Sequence, residues 1–152
     1  MELEGTLCQS GGMNDVAWSG ATQMADYLRF AGQPHEVQRA ELVLIIREQP
    51  LLMEILTGLR AEALPDAWLV SGAIYNTVWN VLTGRPSLTG INDFDIAYFD
   101  GRDLSYEAED EIIQGLIARF AHLPIRVEPR NQARVHLWFP EKFGIPFLRP
   151  RC

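Results

Sequence analysis

The chain has 152 residues, of which 47% are hydrophobic and 22% charged, and a formal net charge of -7. That length suits one compact domain with a real core and excludes a disordered chain or two full domains. No apolar run reaches the roughly 18 residues of a membrane span, no basic start followed by an apolar stretch marks a secretory signal, and the acidic balance argues against a long nucleic acid as partner.

Residues 1–20 mix Gly, Ser and acidic side chains without a period and read as a flexible N-terminal tail. Residues 21–152 read as a single domain, with a helical layer over 21–63 and an α/β core over 66–147. In the layer, Met24, Tyr27 and Leu28 suggest a short helix over 21–30. Val37, Ala40, Leu44 and Ile45 are spaced for one face of a helix from Pro34 to about Glu48. Pro50 breaks that helix, and Leu52, Ile55, Leu56 and Leu59 carry a second one that ends between Ala61 and Pro65. Nothing in this layer points to chemistry. Cys8 and Cys152, at opposite ends of the chain, form no disulfide framework or metal cluster and read as free thiols of a cytoplasmic protein.

The character changes at Asp66. Trp68-Leu69-Val70 reads as a short buried strand that meets a turn at Ser71-Gly72, and a helix from Ala73 to Leu82 stops at Gly84. Phe94, Ile96 and Tyr98 alternate with Asp93, Asp95 and Ala97, the period of a strand with one polar face. Ser105, followed by acidic residues, opens a helix that carries Ile112, Ile113, Leu116, Ile117 and Phe120. Residues 125–128 and 133–139 read as two more strands, joined by a hairpin at Pro129-Arg130-Asn131. The expected fold is α+β, a mixed sheet of about four strands with helices packed on it.

Three features carry possible chemistry. Residues two apart on a strand project from the same face, so Asp93 and Asp95 point together. Two like charges about 4 Å apart repel by roughly 4 kcal/mol at an effective dielectric of 20. Protonation, an arginine or a cation relieves that repulsion, and hard oxygen ligands side by side suit magnesium. Gly72 permits a positive φ and a close backbone approach, and the helix after it offers free N–H groups that favour a phosphate. Glu128, on a later strand, becomes a third acid if that strand lies beside the first. Charge is also segregated along the chain. Eight acidic residues fall between Asp93 and Glu111, whereas Arg126, Arg130, Arg134, Lys142, Arg149 and Arg151 dominate the end. Alternation puts Arg134, His136 and Trp138 on one strand face, fit for phosphate, sugar and base. His35 and His122 read as surface residues.

In order, a glycine turn, a helix, an Asp-x-Asp strand, a helix and an acidic strand resemble the nucleotidyltransferase superfamily of DNA polymerase beta and the tRNA CCA-adding enzymes. More closely, SGAIYNTVW (71–79), NDFDIAYFD (92–100) and NQARVHLWFPEKFGIP (131–146) resemble a small bacterial family of nucleotidyltransferase-like proteins with unassigned substrate. The resemblance implies a nucleotide-binding turn at Ser71 and Gly72, to which the strand face of Arg134 and His136 adds two further candidates for the nucleotide. It also implies Mg2+ or Mn2+ on Asp93, Asp95 and Glu128, with a nucleoside triphosphate and an unknown acceptor as partners. Two departures stand out: Ser71-Gly72 reverses the superfamily's more usual Gly-Ser order, and Tyr75 stands where the closer family tends to have arginine. The family also continues past residues 144–146, whereas this chain ends LRPRC, a truncation that would bear on the substrate pocket. These departures keep a second expectation open, a nucleotide-binding or partner-binding module with the same fold and no turnover.

Overall fold

A computed structural model describes residues 27–147, so the N-terminal tail, both cysteines and the last arginines lie outside the described residues. The short helix expected over 21–30 falls partly outside them too, and its described part, residues 27–32, forms turns. Helix α1 spans His35–Arg47 and α2 spans Pro50–Glu62. Pro50 sits in the first turn of α2, where its missing N–H costs nothing, so the residue that stops one helix starts the next. Ala63, at φ 51°, closes α2.

Strand β1 (Trp68–Leu69) is two residues long and antiparallel to β2 (Asp93–Tyr98), and β2 is parallel to β3 (Arg126–Asn131). Only Leu69 of β1 is buried; Trp68 is exposed. Helix α3 (Gly72–Thr83) joins β1 to β2 and ends on Gly84 at φ 64°, as its glycine stop implies. Helix α4 (Tyr106–Arg119) joins β2 to β3, the long crossover a parallel pair requires. Ser105 caps α4, its hydroxyl accepting from the Ala108 N–H at 3.2 Å, which satisfies one of the free amides of the first turn.

Phe94, Ile96 and Tyr98 on β2 and Val127 and Pro129 on β3 turn inward, joined in the core by Leu52, Ile55 and Leu59 of α2, Ala73 of α3, and Leu116 and Phe120 near the end of α4. Each fully buried side chain of this size contributes about 1.5–3 kcal/mol, so the inward face of the sheet is held firmly and its register with it. A Cβ on Gly58 would come within 2.6 Å of the Phe120 ring, so glycine there lets α2 approach that ring closely. Glu62 to Arg119 (2.6 Å) and Glu54 to His122 (2.5 Å) tie the two segments together at the surface, so His122 is a surface residue with a partner.

The sheet has three strands, fewer than expected. Residues 132–134 form a 3-10 turn and 135–143 a helix, α5, rather than a fourth strand. Pro129, Arg130 and Asn131, expected to form a hairpin, are the second half of β3. The reason is tertiary. Asn131, buried at the end of β3, accepts from the N–H groups of Asp100 and Ala133 (both 3.0 Å) and donates to the Asp100 carbonyl (2.9 Å). This side chain stops the strand and caps the next turn in one place. Once the chain turns helical, Phe139 meets Phe143 at 4.7 Å between ring centroids and Lys142 lies over the Trp138 ring, both i,i+4 pairs. No helix among the described residues is long and apolar enough to cross a membrane.

Candidate functional site

Alternation on β2 leaves Asp93, Asp95 and Ala97 on the face opposite the core. The parallel register sets Arg126 against Asp93, Glu128 against Asp95 and Arg130 against Ala97. Neighbouring strands lie about 4.8 Å apart, so directly paired residues share a face and touch. The three expected acids therefore come together on one surface of two adjacent strands. Arg126 stands among them: its Nη2 lies 3.1 Å from Asp93 Oδ2 and 2.9 Å from Glu128 Oε1. Arg130 is further off, 4.0 Å from Glu128, and gives its other nitrogen to the Pro129 carbonyl.

The turn is attached to the same place. The Val70 N–H donates to the Asp95 carbonyl at 3.0 Å, and Leu69 pairs with Ile96. The bend at Ser71 and Gly72 thus begins one residue after a hydrogen bond to Asp95. The Ile74 N–H already donates to the Ser71 carbonyl at 3.1 Å, which leaves the Gly72 and Ala73 amides without a helical acceptor and open to an anion. The expected positive φ at Gly72 is corrected: the residue in that region is Ser71, at φ 58°, ψ -138°. These dihedrals are close to those of the first central position of a type II′ turn, where glycine dominates. The reversed Ser-Gly order thus puts a Cβ where the fold suits glycine. Gly72 has its own constraint, since a Cβ there would lie 3.2 Å from Asn76 Nδ2.

Asn76 and Asn80 brace the loop that leads into β2. Asn76 donates to the Gly90 carbonyl at 2.9 Å, and Asn80, almost fully buried, donates to the carbonyls of Ser87 (3.1 Å) and Thr89 (2.9 Å). These bonds pin the loop 85–91 that delivers the chain into Asp93. The sequence signal for them is slight: two amides four apart on a helix, followed by a loop with a glycine at Gly90.

Other acids of the run are committed elsewhere. Two hydrogen bonds from the Arg102 side chain hold the Asp100 carboxyl well down, at about 2, and the Ser105 amide lowers Asp103. Glu109, buried on α4, accepts from the Asn131 N–H at 2.9 Å and from the Arg134 guanidinium. Arg134 also donates to the Leu104 carbonyl at 3.0 Å, and its side chain is only 12% exposed. The expectation that Arg134 and His136 share a strand face toward a nucleotide is therefore corrected. Arg134 is locked to Glu109 behind β3. On a helical path, residues two apart differ by about 200°, so His136 points away from Arg134 while Trp138 and Lys142 return near it.

Residues 57–149 match a protein family described as nucleotidyltransferase, well over half of the chain. The chain belongs to that nucleotidyltransferase family. Its fold is also similar to an NMR structure described as a CCA-adding enzyme head domain, at 32% identity and a TM-score of 0.54, over 64% of this chain and 49% of that one. The chain thus spans about half the length of that structure. No curated protein matches it.

As they stand, no three His, Cys, Asp or Glu among the described residues are gathered as a ready metal cage. The guanidinium of Arg126 occupies the gap between Asp93 and Glu128, whose nearest oxygens are no more than about 6 Å apart. The donor chemistry nevertheless fits a hard divalent ion, because hard carboxylate oxygens lie on one face and already share one cation.

Proposed function

We propose that this protein transfers a nucleoside monophosphate from a nucleoside triphosphate to an acceptor hydroxyl, with Asp93, Asp95 and Glu128 as the metal-binding acids. The reading rests on one juxtaposition: a carboxylate face on two paired strands, hydrogen-bonded through Asp95 to an amide-lined bend that opens a helix. Family membership supports it.

Asp93 and Asp95 would hold Mg2+ or Mn2+, which when bound offsets phosphate charge and orients the α-phosphorus. The amides at the start of α3 would take the outer phosphates, helped by the partial positive charge of a helix N-terminus. The acceptor oxygen forms a bond to the α-phosphorus, the α–β bridging bond breaks, and pyrophosphate leaves with the electron pair. Glu128 is placed to receive the acceptor's proton or to hold a second ion. Such chemistry depends on placement and charge stabilisation more than on covalent catalysis. Net charge of -7 favours a small molecule or a protein over a long nucleic acid as acceptor.

One observation favours a second reading, a nucleotide-binding module without turnover: Ser71 sits in a backbone conformation suited to glycine, at the bend where phosphates would lie. Titration of ATP and GTP with and without magnesium, followed by a pyrophosphate-release screen over acceptors, separates the two. Magnesium-dependent binding with sustained release supports transfer. Tight binding without release supports the module. Equal, weak binding by wild type and Asp95→Asn, whether or not magnesium is present, defeats both.

A further inference from the structure

We propose that Arg126 is a built-in counter-cation that keeps metal off the carboxylate face until a triphosphate arrives, and so couples metal binding to nucleotide binding. The inference rests on the metal-binding reading of Asp93, Asp95 and Glu128 given above. Arg126 is opposite Asp93 in the strand register, and a single nitrogen reaches both Asp93 (3.1 Å) and Glu128 (2.9 Å). A divalent ion needs those same oxygens at about 2.0–2.1 Å for magnesium, so guanidinium and metal compete for one position. Arginine stays protonated at any working pH, so the competition ends by movement and not by loss of a proton.

The site is built for that movement. The Arg126 side chain is 68% exposed, against 26% for Asp93 and 33% for Glu128, so it can leave without stranding a charge in the protein interior. Arg134, by contrast, is sequestered with Glu109. Arg130 donates to the Pro129 carbonyl and reaches Glu128 only at 4.0 Å. Arg126 is thus the cation of this face that binds two of the three acids directly and is free to turn outward. Turned outward, a planar guanidinium beside the acids meets phosphate oxygens well, and this gives it a reason to move only when nucleotide is present. The consequence is a reciprocal coupling in which triphosphate raises metal affinity and metal raises triphosphate affinity.

Mn2+ titration followed by electron paramagnetic resonance tests this on the whole chain, with and without a non-hydrolysable triphosphate. A unit charge removed from about 6 Å beside a divalent ion in water-like surroundings changes affinity by about a factor of ten. Arg126→Gln should therefore bind Mn2+ alone about tenfold more tightly than wild type. The gain in Mn2+ affinity caused by triphosphate should be correspondingly smaller in that variant. Arg126→Lys, which keeps the charge but reaches two acids less well, should fall between. Asp95→Asn should abolish Mn2+ binding in either background. If Arg126→Gln binds Mn2+ no more tightly than wild type while Asp95→Asn still removes binding, Arg126 is not the competitor, and the metal site survives. If neither wild type nor Arg126→Gln binds Mn2+ under any condition, both the inference and the transfer reading fall.

Discussion

Replacing Ser71 with glycine should make the protein more stable, which is unusual for a change beside a candidate active site. Ser71 is held at φ 58°, ψ -138°, where a Cβ clashes with its own backbone. A non-glycine residue in such a region costs about 1–3 kcal/mol. Glycine removes that cost but adds about 0.4–1 kcal/mol of unfolded-chain entropy, so from the middle of both ranges the net gain is about 1 kcal/mol. For a chain of this size 1 kcal/mol moves the melting temperature by about 2–4 °C, so the variant should melt higher than wild type by about that much. Thermal melts by circular dichroism and urea midpoints both measure this. Ser71→Ala is the control: it keeps the Cβ and loses only a hydroxyl that makes no capping bond to α3, so it should show no comparable gain. A Ser71→Gly protein that melts at or below wild type would refute the strain argument. So would an equal gain in Ser71→Ala.

Three further outcomes follow from other parts of the molecule. Arg134→Ala leaves Glu109 buried without its cation, so stability should fall by about 3–5 kcal/mol. Triphosphate affinity, measured well below the melting point, should stay near wild type; a selective loss of nucleotide binding would return Arg134 to the phosphate site. Asn80→Ala removes two hydrogen bonds to the loop before Asp93 and should cost about 1–3 kcal/mol, together with weaker metal-dependent nucleotide binding by titration. Tyr98 is fully buried, its hydroxyl has no partner among the described residues, and burial with Glu109 and Asp100 nearby pushes its pKa up to about 12. A raised folded-state pKa gives stability that is present below about pH 10 and lost as pH rises through 12. Tyr98→Phe should therefore be near neutral at pH 8 and lose less melting temperature than wild type between pH 8 and 11. An identical alkaline slope in the two proteins would count against this account.

Local pattern was sufficient for what depends on neighbours in the chain. The alternation of Asp93 to Tyr98 specified both the strand and its polar face, because one-residue slips there would bury carboxylates and expose Phe94 and Ile96. Ser105 and Gly84 marked helix ends by chemistry that acts within a turn. Tertiary structure alone decided the rest. That Glu128 lies against Asp95 and not elsewhere depends on strand order, which a crossover helix of any composition could have set differently. The strand expected over 133–139 became helix because Asn131 bonds to Asp100, thirty-one positions earlier, where no local period could reveal it. Arg134 left the candidate site for the same reason: its partner, Glu109, comes from a helix that packs behind β3. Periodicity reports which side of an element is wet, whereas the partner of a buried charge is set by distant chain segments that the core brings together.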